Sequence, residues 1–166
     1  MELERLIGRC QALEERAGAL YRGWAARARE NPPLCSLWTA LAREEEKHAH
    51  SLRVALRSPA PSSRACIDVA GWEDAIAAVE ERLIAAEGLG EGAAADHLLA
   101  AALELEMTEL ETMRRALVGL AGRPARERED DHGAVFAREA VRLSDDPHVG
   151  LLAGLLLAET QVKQTA

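Results

Sequence analysis

Aromatic residues are scarce in this chain: Tyr21, Trp24, Trp38, Trp72 and Phe136 are all that its 166 residues contain. β-Branched residues are sparse too. Alanine and leucine take their place, and with a hydrophobic content of 48% they favour helices packed on helices over sheets. Positive charge is also short. Lys and Arg number 20 against 28 Asp and Glu, a net charge of −8. That argues against nucleic acid and against anionic membrane surfaces as partners, while leaving metal cations open. Cysteine is limited to Cys10, Cys35 and Cys66, an odd number with no C-x-x-C. Neither a disulfide framework nor a thiolate-held zinc or iron centre is expected within the chain. No apolar run approaches the roughly 20 residues a membrane span needs. The charged, amphipathic start Met1-Glu2-Leu3-Glu4-Arg5 does not read as a signal peptide. The expectation is one all-α domain over 1–166, cytoplasmic, without membrane or nucleic-acid partners.

Helical periodicity then divides the chain. A first helix is expected over 2–29, with Leu6, Ile7, Cys10, Leu13, Ala17, Tyr21 and Trp24 on its apolar stripe. Asn31-Pro32-Pro33 supplies an N-cap and first-turn prolines for a second helix over 32–57. The break is short, so the two helices should form an antiparallel hairpin over 1–57. Residues 58–93 read as a crossover, with a Pro- and Ser-rich loop, a helix over 72–87, and glycines at 88, 90 and 92. A second hairpin is expected over 94–166: a helix over 94–120, a short amphipathic helix over 132–143, and a last helix over 147–164. The architecture implied is a four-helix bundle of two antiparallel hairpins, with a helical crossover and an extra short helix.

The stripes are not purely apolar. Glu45 and His48 are three residues apart, so they project from nearly one face. That face also carries Trp38, Leu41, Ala49 and Leu52, whereas Glu44 and Glu46 swing to either side. Glu14 lies within the stripe of the first helix, between Cys10 and Ala17. Glu106 falls in the stripe of the third, with Glu109 at its edge, and Glu159 falls among Leu152, Leu155 and Leu156 of the last. Counting from the proline break at 1.5 Å per residue, Glu14 lies about 24 Å back and Glu45 about 20 Å forward, at one level of the hairpin. A weak internal repeat adds to this: Pro33 to Glu45 and Pro147 to Glu159 are both twelve residues. A buried carboxylate is costly unless it is paired or binds a metal. Carboxylates with imidazole suit iron or manganese. The blander alternative is a set of boundary glutamates paired with arginines. His50 and His97 point away from the carboxylates, and His132 and His148, near helix starts, suit capping or solvent contact.

Glu14 with Tyr21 seven positions on, and the E-x-x-H pair Glu45 and His48, make the chain resemble the ferritin-like superfamily, nearest the rubrerythrin group. The resemblance is good over 10–52 and weaker over 98–164. It implies a di-iron carboxylate site with Glu14, Glu45, His48 and Glu106 as ligands, Glu109 as an additional third-helix carboxylate, and Glu159 bridging. Val162 stands where the family's second E-x-x-H has its histidine. The implied second position therefore has oxygen ligands alone, and the chain holds two iron ions, or one if that half is degenerate; manganese is an alternative metal. Tyr21 would hydrogen-bond a ligand carboxylate. The implied activity is ferroxidase- or peroxidase-like oxidation of Fe(II) by O₂ or peroxide, with electrons from a separate donor, since the chain lacks the family's cysteine-ligated iron domain. The alternative is a non-catalytic ferritin-like helical domain used for assembly or partner binding. Long apolar bundles of this kind often form homodimers.

Overall fold

The computed structural model describes residues 2–57, 69–108 and 132–165, with side chains over 4–57, 71–108 and 132–161. Among these there are six helices and no strand: α1 (Glu2–Arg27), α2 (Pro32–Leu56), α3 (Val69–Glu87), α4 (Ala95–Glu106), α5 (His132–Leu143) and α6 (Pro147–Thr165). No helix is long and apolar enough to cross a membrane. Glu109 and Cys66 lie outside the described residues, as does the expected continuation of the third helix over 109–120.

Local chemistry accounts for the starts of the hairpin helices. Asn31 Oδ1 accepts a hydrogen bond from the Leu34 N–H at 3.4 Å, and two prolines occupy the first turn of α2. Asp146 repeats the device at α6, its Oδ1 accepting from the His148 N–H at 2.7 Å. Ser144 Oγ donates to Asp96 Oδ1 at 2.5 Å, which ties the start of α6 to the start of α4.

α1 and α2 pack along their length as the expected hairpin. Their joint core is Leu6, Cys10, Leu13, Tyr21 and Trp24 from one side and Trp38, Leu41 and Leu52 from the other. Gly18 permits the close approach: a Cβ there would stand 3.3 Å from the Glu45 Cβ. α3 lies against α1 and α4, burying Ile76, Val79, Leu83 and Ala86. Three ion pairs flank that contact, Arg5–Glu73, Arg9–Glu80 (3.0 Å) and Arg16–Glu87 (2.8 Å). The partners ascend together in both helices, so α1 and α3 run parallel. Each pair is largely solvated and stabilises little by itself.

The second half departs from expectation at three points. α4 ends at Glu106, with Met107 in a turn and Thr108 in a bend, although no Gly or Pro interrupts Leu105-Glu106-Met107-Thr108. Glu106, the last residue of α4, is tied to Tyr21 of α1 and His132 of α5. The helix packed on α2 is the short α5; α6 packs on α4 and α5. Finally, α6 buries Val149, Leu152, Ala153 and Leu156 while Leu155 and Glu159 face out. Every residue from 149 to 158 is apolar or glycine, so periodicity carries no information about which face turns inward.

Candidate metal centre

Six polar side chains, Glu14, Tyr21, Glu45, His48, Glu106 and His132, converge where α1, α2, the end of α4 and the start of α5 meet. Glu14, Glu45 and His48 are 2%, 5% and 5% exposed, which for a carboxylate is rare without a partner. Glu45 Oε2 lies 3.2 Å from His48 Nδ1, and Glu14 Oε2 lies 3.7 Å from the same nitrogen. Across the cavity, His132 Nε2 sits 2.9 Å from Glu106 Oε2, and the Tyr21 hydroxyl donates to Glu106 Oε1 at 3.1 Å. The two imidazole rings are 5.2 Å apart, centroid to centroid.

These residues form two groups whose ligand atoms lie within 4.8 Å of one another: Glu14, Glu45, His48 and Glu45, Glu106, His132. Glu45 belongs to both. Each group is two carboxylates and one imidazole, a donor set suited to iron or manganese. The cavity between them measures about 40 Å³ and is walled by Leu13, Ala17, Val79, Leu83, Leu105 and Thr108 besides the polar groups. That is space for about three water-sized particles.

Electrostatics separates the carboxylates. Burial, then the charge of Glu14 and its hydrogen bond, push Glu45 well above the ordinary carboxylate range against the opposing pull of His48. For Glu106, burial acts upward but is outweighed by the hydrogen bond and charge of His132, with His48 and Tyr21 adding to the downward pull. Burial and the charges of Glu106 and Glu45 raise the Tyr21 phenol well above its usual value, so it stays a donor. Cys10, nearby in the core, is pushed up to about 12 by burial, with Glu14 adding to it, and is an inert thiol.

Without metal, the raised Glu45 makes stability depend on pH with a definite sign. Unfolded Glu45 titrates near 4.5, and the folded protein keeps that proton to higher pH. Across this window the native state binds more protons than the unfolded one, so stability falls as pH rises. The lowered Glu106 acts below 4.5, where its contribution is lost as pH falls. Metal-free protein is expected to melt highest in mild acid and progressively lower toward neutrality, and Glu45→Gln should flatten that decline. A metal-free melting temperature that climbed from mild acid to neutral pH would contradict this account of Glu45.

Of the residues expected at the site, Glu14, Glu45, His48, Glu106 and Tyr21 are brought together. Glu159 is not; it is exposed on α6. The Val162 side chain lies outside the described set, as does Glu109. The residue that sequence reasoning misplaced is His132. Its place near a helix start suggests capping or solvent contact, whereas the structure groups it with Glu45 and Glu106. Its signal was weak but present, for His132 begins an amphipathic helix whose Phe136 and Ala140, one and two turns on, are core positions. His50, His97 and His148 are exposed, as expected.

A helical bundle with a carboxylate-rich interior and two imidazoles sharing one glutamate defines a carboxylate–histidine metal-site class. Residues 6–140 match the rubrerythrin family model, and the chain belongs to the rubrerythrin family, whose domain is a ferritin-like helical bundle. The match ends within α5, so it takes in His132 and leaves out α6 with Glu159. No curated protein and no solved structure matches the chain.

Proposed function

We propose that this protein binds two iron ions between Glu14/His48 and Glu106/His132, with Glu45 shared, and carries out Fe(II) oxidation by O₂ or peroxide with electrons from a separate donor. One observation carries the reading: Glu14 and Glu45 are almost wholly buried and bring a carboxylate oxygen each to 3.7 and 3.2 Å from His48 Nδ1, a cluster that is costly to bury without a cation. Two carboxylates and an imidazole crowded together in the interior, with one carboxyl pushed up by the other, fit a cation as the missing component.

Bound iron would supply the redox chemistry. The chain's own residues hold and condition it. Glu14, Glu45 and His48 would hold one ion and Glu45, Glu106 and His132 the other, and Glu45 would lose its proton as an ion binds. Tyr21 fixes Glu106 by donating to Oε1, while Oε2 lies 2.9 Å from His132 Nε2. Val79 and Leu83 from α3, with Leu13 and Leu105, keep bulk water from the reacting volume.

Anaerobic Fe(II) titration of metal-free protein tests this directly. The expected result is saturation at about two ions per chain, with proton release from Glu45 that grows as the titration is repeated at lower pH. Iron retained at less than about a tenth of an ion per chain, whatever the loading condition, would sink the reading.

A further inference from the structure

Four of the chain's five aromatic rings meet in one cluster. Tyr21 and Trp38 are stacked, with centroids 6.1 Å apart and planes 10° from parallel. Trp24 meets Tyr21 and Trp38 edge-on at 5.6 and 5.1 Å, and Phe136 lies 6.5 Å from Trp38. All four are buried. Such separations are ordinary ring contacts. What packing does not require is their order. The oxidisable phenol stands at the cavity, donating to a carboxylate of the candidate metal centre, and two oxidisable indoles follow behind it toward the α1–α2 turn. Phe136, which resists oxidation, lies beyond Trp38 on α5.

We propose that Tyr21, Trp38 and Trp24 form an electron relay that moves oxidising equivalents out of the carboxylate–imidazole cavity, with Tyr21 as the entry point. The proposal rests on the iron reading for the source of the oxidant. A one-electron oxidant derived from peroxide in the cavity takes an electron from Tyr21 and is reduced by one. The phenolic proton passes to Glu106 Oε1, to which Tyr21 already donates at 3.1 Å. Trp38, stacked on the resulting phenoxyl, returns one electron to it, and the proton returns from Glu106. The vacancy is now on the indole pair, where Trp24 shares it through edge contact. A surface donor of the thiolate class supplies the electron that restores the pair and is oxidised by one. The relay takes the vacancy away from His48 and His132, whose oxidation would end metal binding.

The chain's single tyrosine makes the test clean, because any phenoxyl signal belongs to Tyr21. In metal-free Trp72→Phe protein, a flash at the red edge of indole absorption photoionises Trp24 and Trp38 alone. The ring potentials are close, so transfer measured from phenol to indole radical reports the same path used in reverse. The expected result is first-order relaxation of the indole radical, independent of protein concentration, to a steady mixture of indole radical and phenoxyl, since a path that also runs forward must leave part of the vacancy on the indoles. In the added Tyr21→Phe variant the indole radical should persist. Indole radical that persists with no phenoxyl in the presence of Tyr21 overturns the relay. Should Trp72→Phe fail to fold, wild type against Tyr21→Phe gives the same comparison.

A second arm reads the forward direction. Iron-loaded protein treated with hydrogen peroxide and no reductant should carry oxidised indole at Trp24 and Trp38 by peptide mass. In Tyr21→Phe those products should fall to the untreated level and oxidation should shift to His48 and His132. Equal indole oxidation in both proteins overturns Tyr21 as the entry. Protein that conducts in the flash experiment but takes up no iron retains the ring-to-ring transfer and defeats the reading of the site instead.

Discussion

Glu45→Ala is expected to empty both metal positions at once, lowering the affinity for each iron by at least about 100-fold, beyond the 10- to 100-fold typical of losing a mere outer partner of a ligand. Glu45 is the one residue common to both ligand groups, so no other single substitution should do this. The same change is expected to leave the metal-free protein as stable as wild type at neutral pH, or more so. Its carboxyl is buried, crowded by Glu14 and raised in pKa, and removing it relieves a burden that the lost packing only partly offsets. Metal titration and thermal melting of the metal-free variant check the two halves. A variant that kept one full-affinity ion would show that Glu45 is not shared. A metal-free variant melting far below wild type would make the residue structural.

His132→Ala should act on one position only. The expected stoichiometry falls from about two iron ions to about one, with the Glu14–Glu45–His48 position retained and the other weakened by at least about 100-fold. Glu106 reports the change independently. Its carboxyl is held low chiefly by His132 against the upward pull of burial. Losing the imidazole should therefore let it rise, which is measurable by the carboxylate resonance in metal-free protein. His48→Ala provides the mirror experiment. If His132→Ala bound two ions with unchanged affinity, the 2.9 Å contact with Glu106 would be a hydrogen bond and nothing more.

Much of this centre is legible in the sequence where geometry is local. Asn31-Pro32-Pro33 fixes a short antiparallel turn. A count of residues from that turn places Glu14 and Glu45 at one level, and the stripes on α1 and α2 are clean enough to point both inward. His48 follows from its three-residue spacing. The second half is illegible for two physical reasons. α6 is apolar around its whole circumference between 149 and 158, so the pattern that seemed to place Glu159 inward had no contrast. α4 stops at Glu106 without a breaker in its sequence, so nothing local announces its end. His132 lies 26 residues from Glu106, too far for any helical spacing to relate the two. The even spacing from proline to glutamate in α2 and α6 is real, but equal spacing along an axis does not equalise rotation about it.

The ion pairs between α1 and α3 bear on this centre as a ruler. Glu73, Glu80 and Glu87 stand seven residues apart, and their arginine partners climb α1 in the same order. A slide of α3 by a single turn, about 5.4 Å, would separate all three pairs together and carry Val79 and Leu83 out of the cavity they wall. Each pair contributes little to folding free energy, and Arg5 and Arg9 stand about one turn apart, so a slid α3 could re-form one pair, but only the observed register makes all three. A pattern of exposed charge thus proofreads a buried apolar wall.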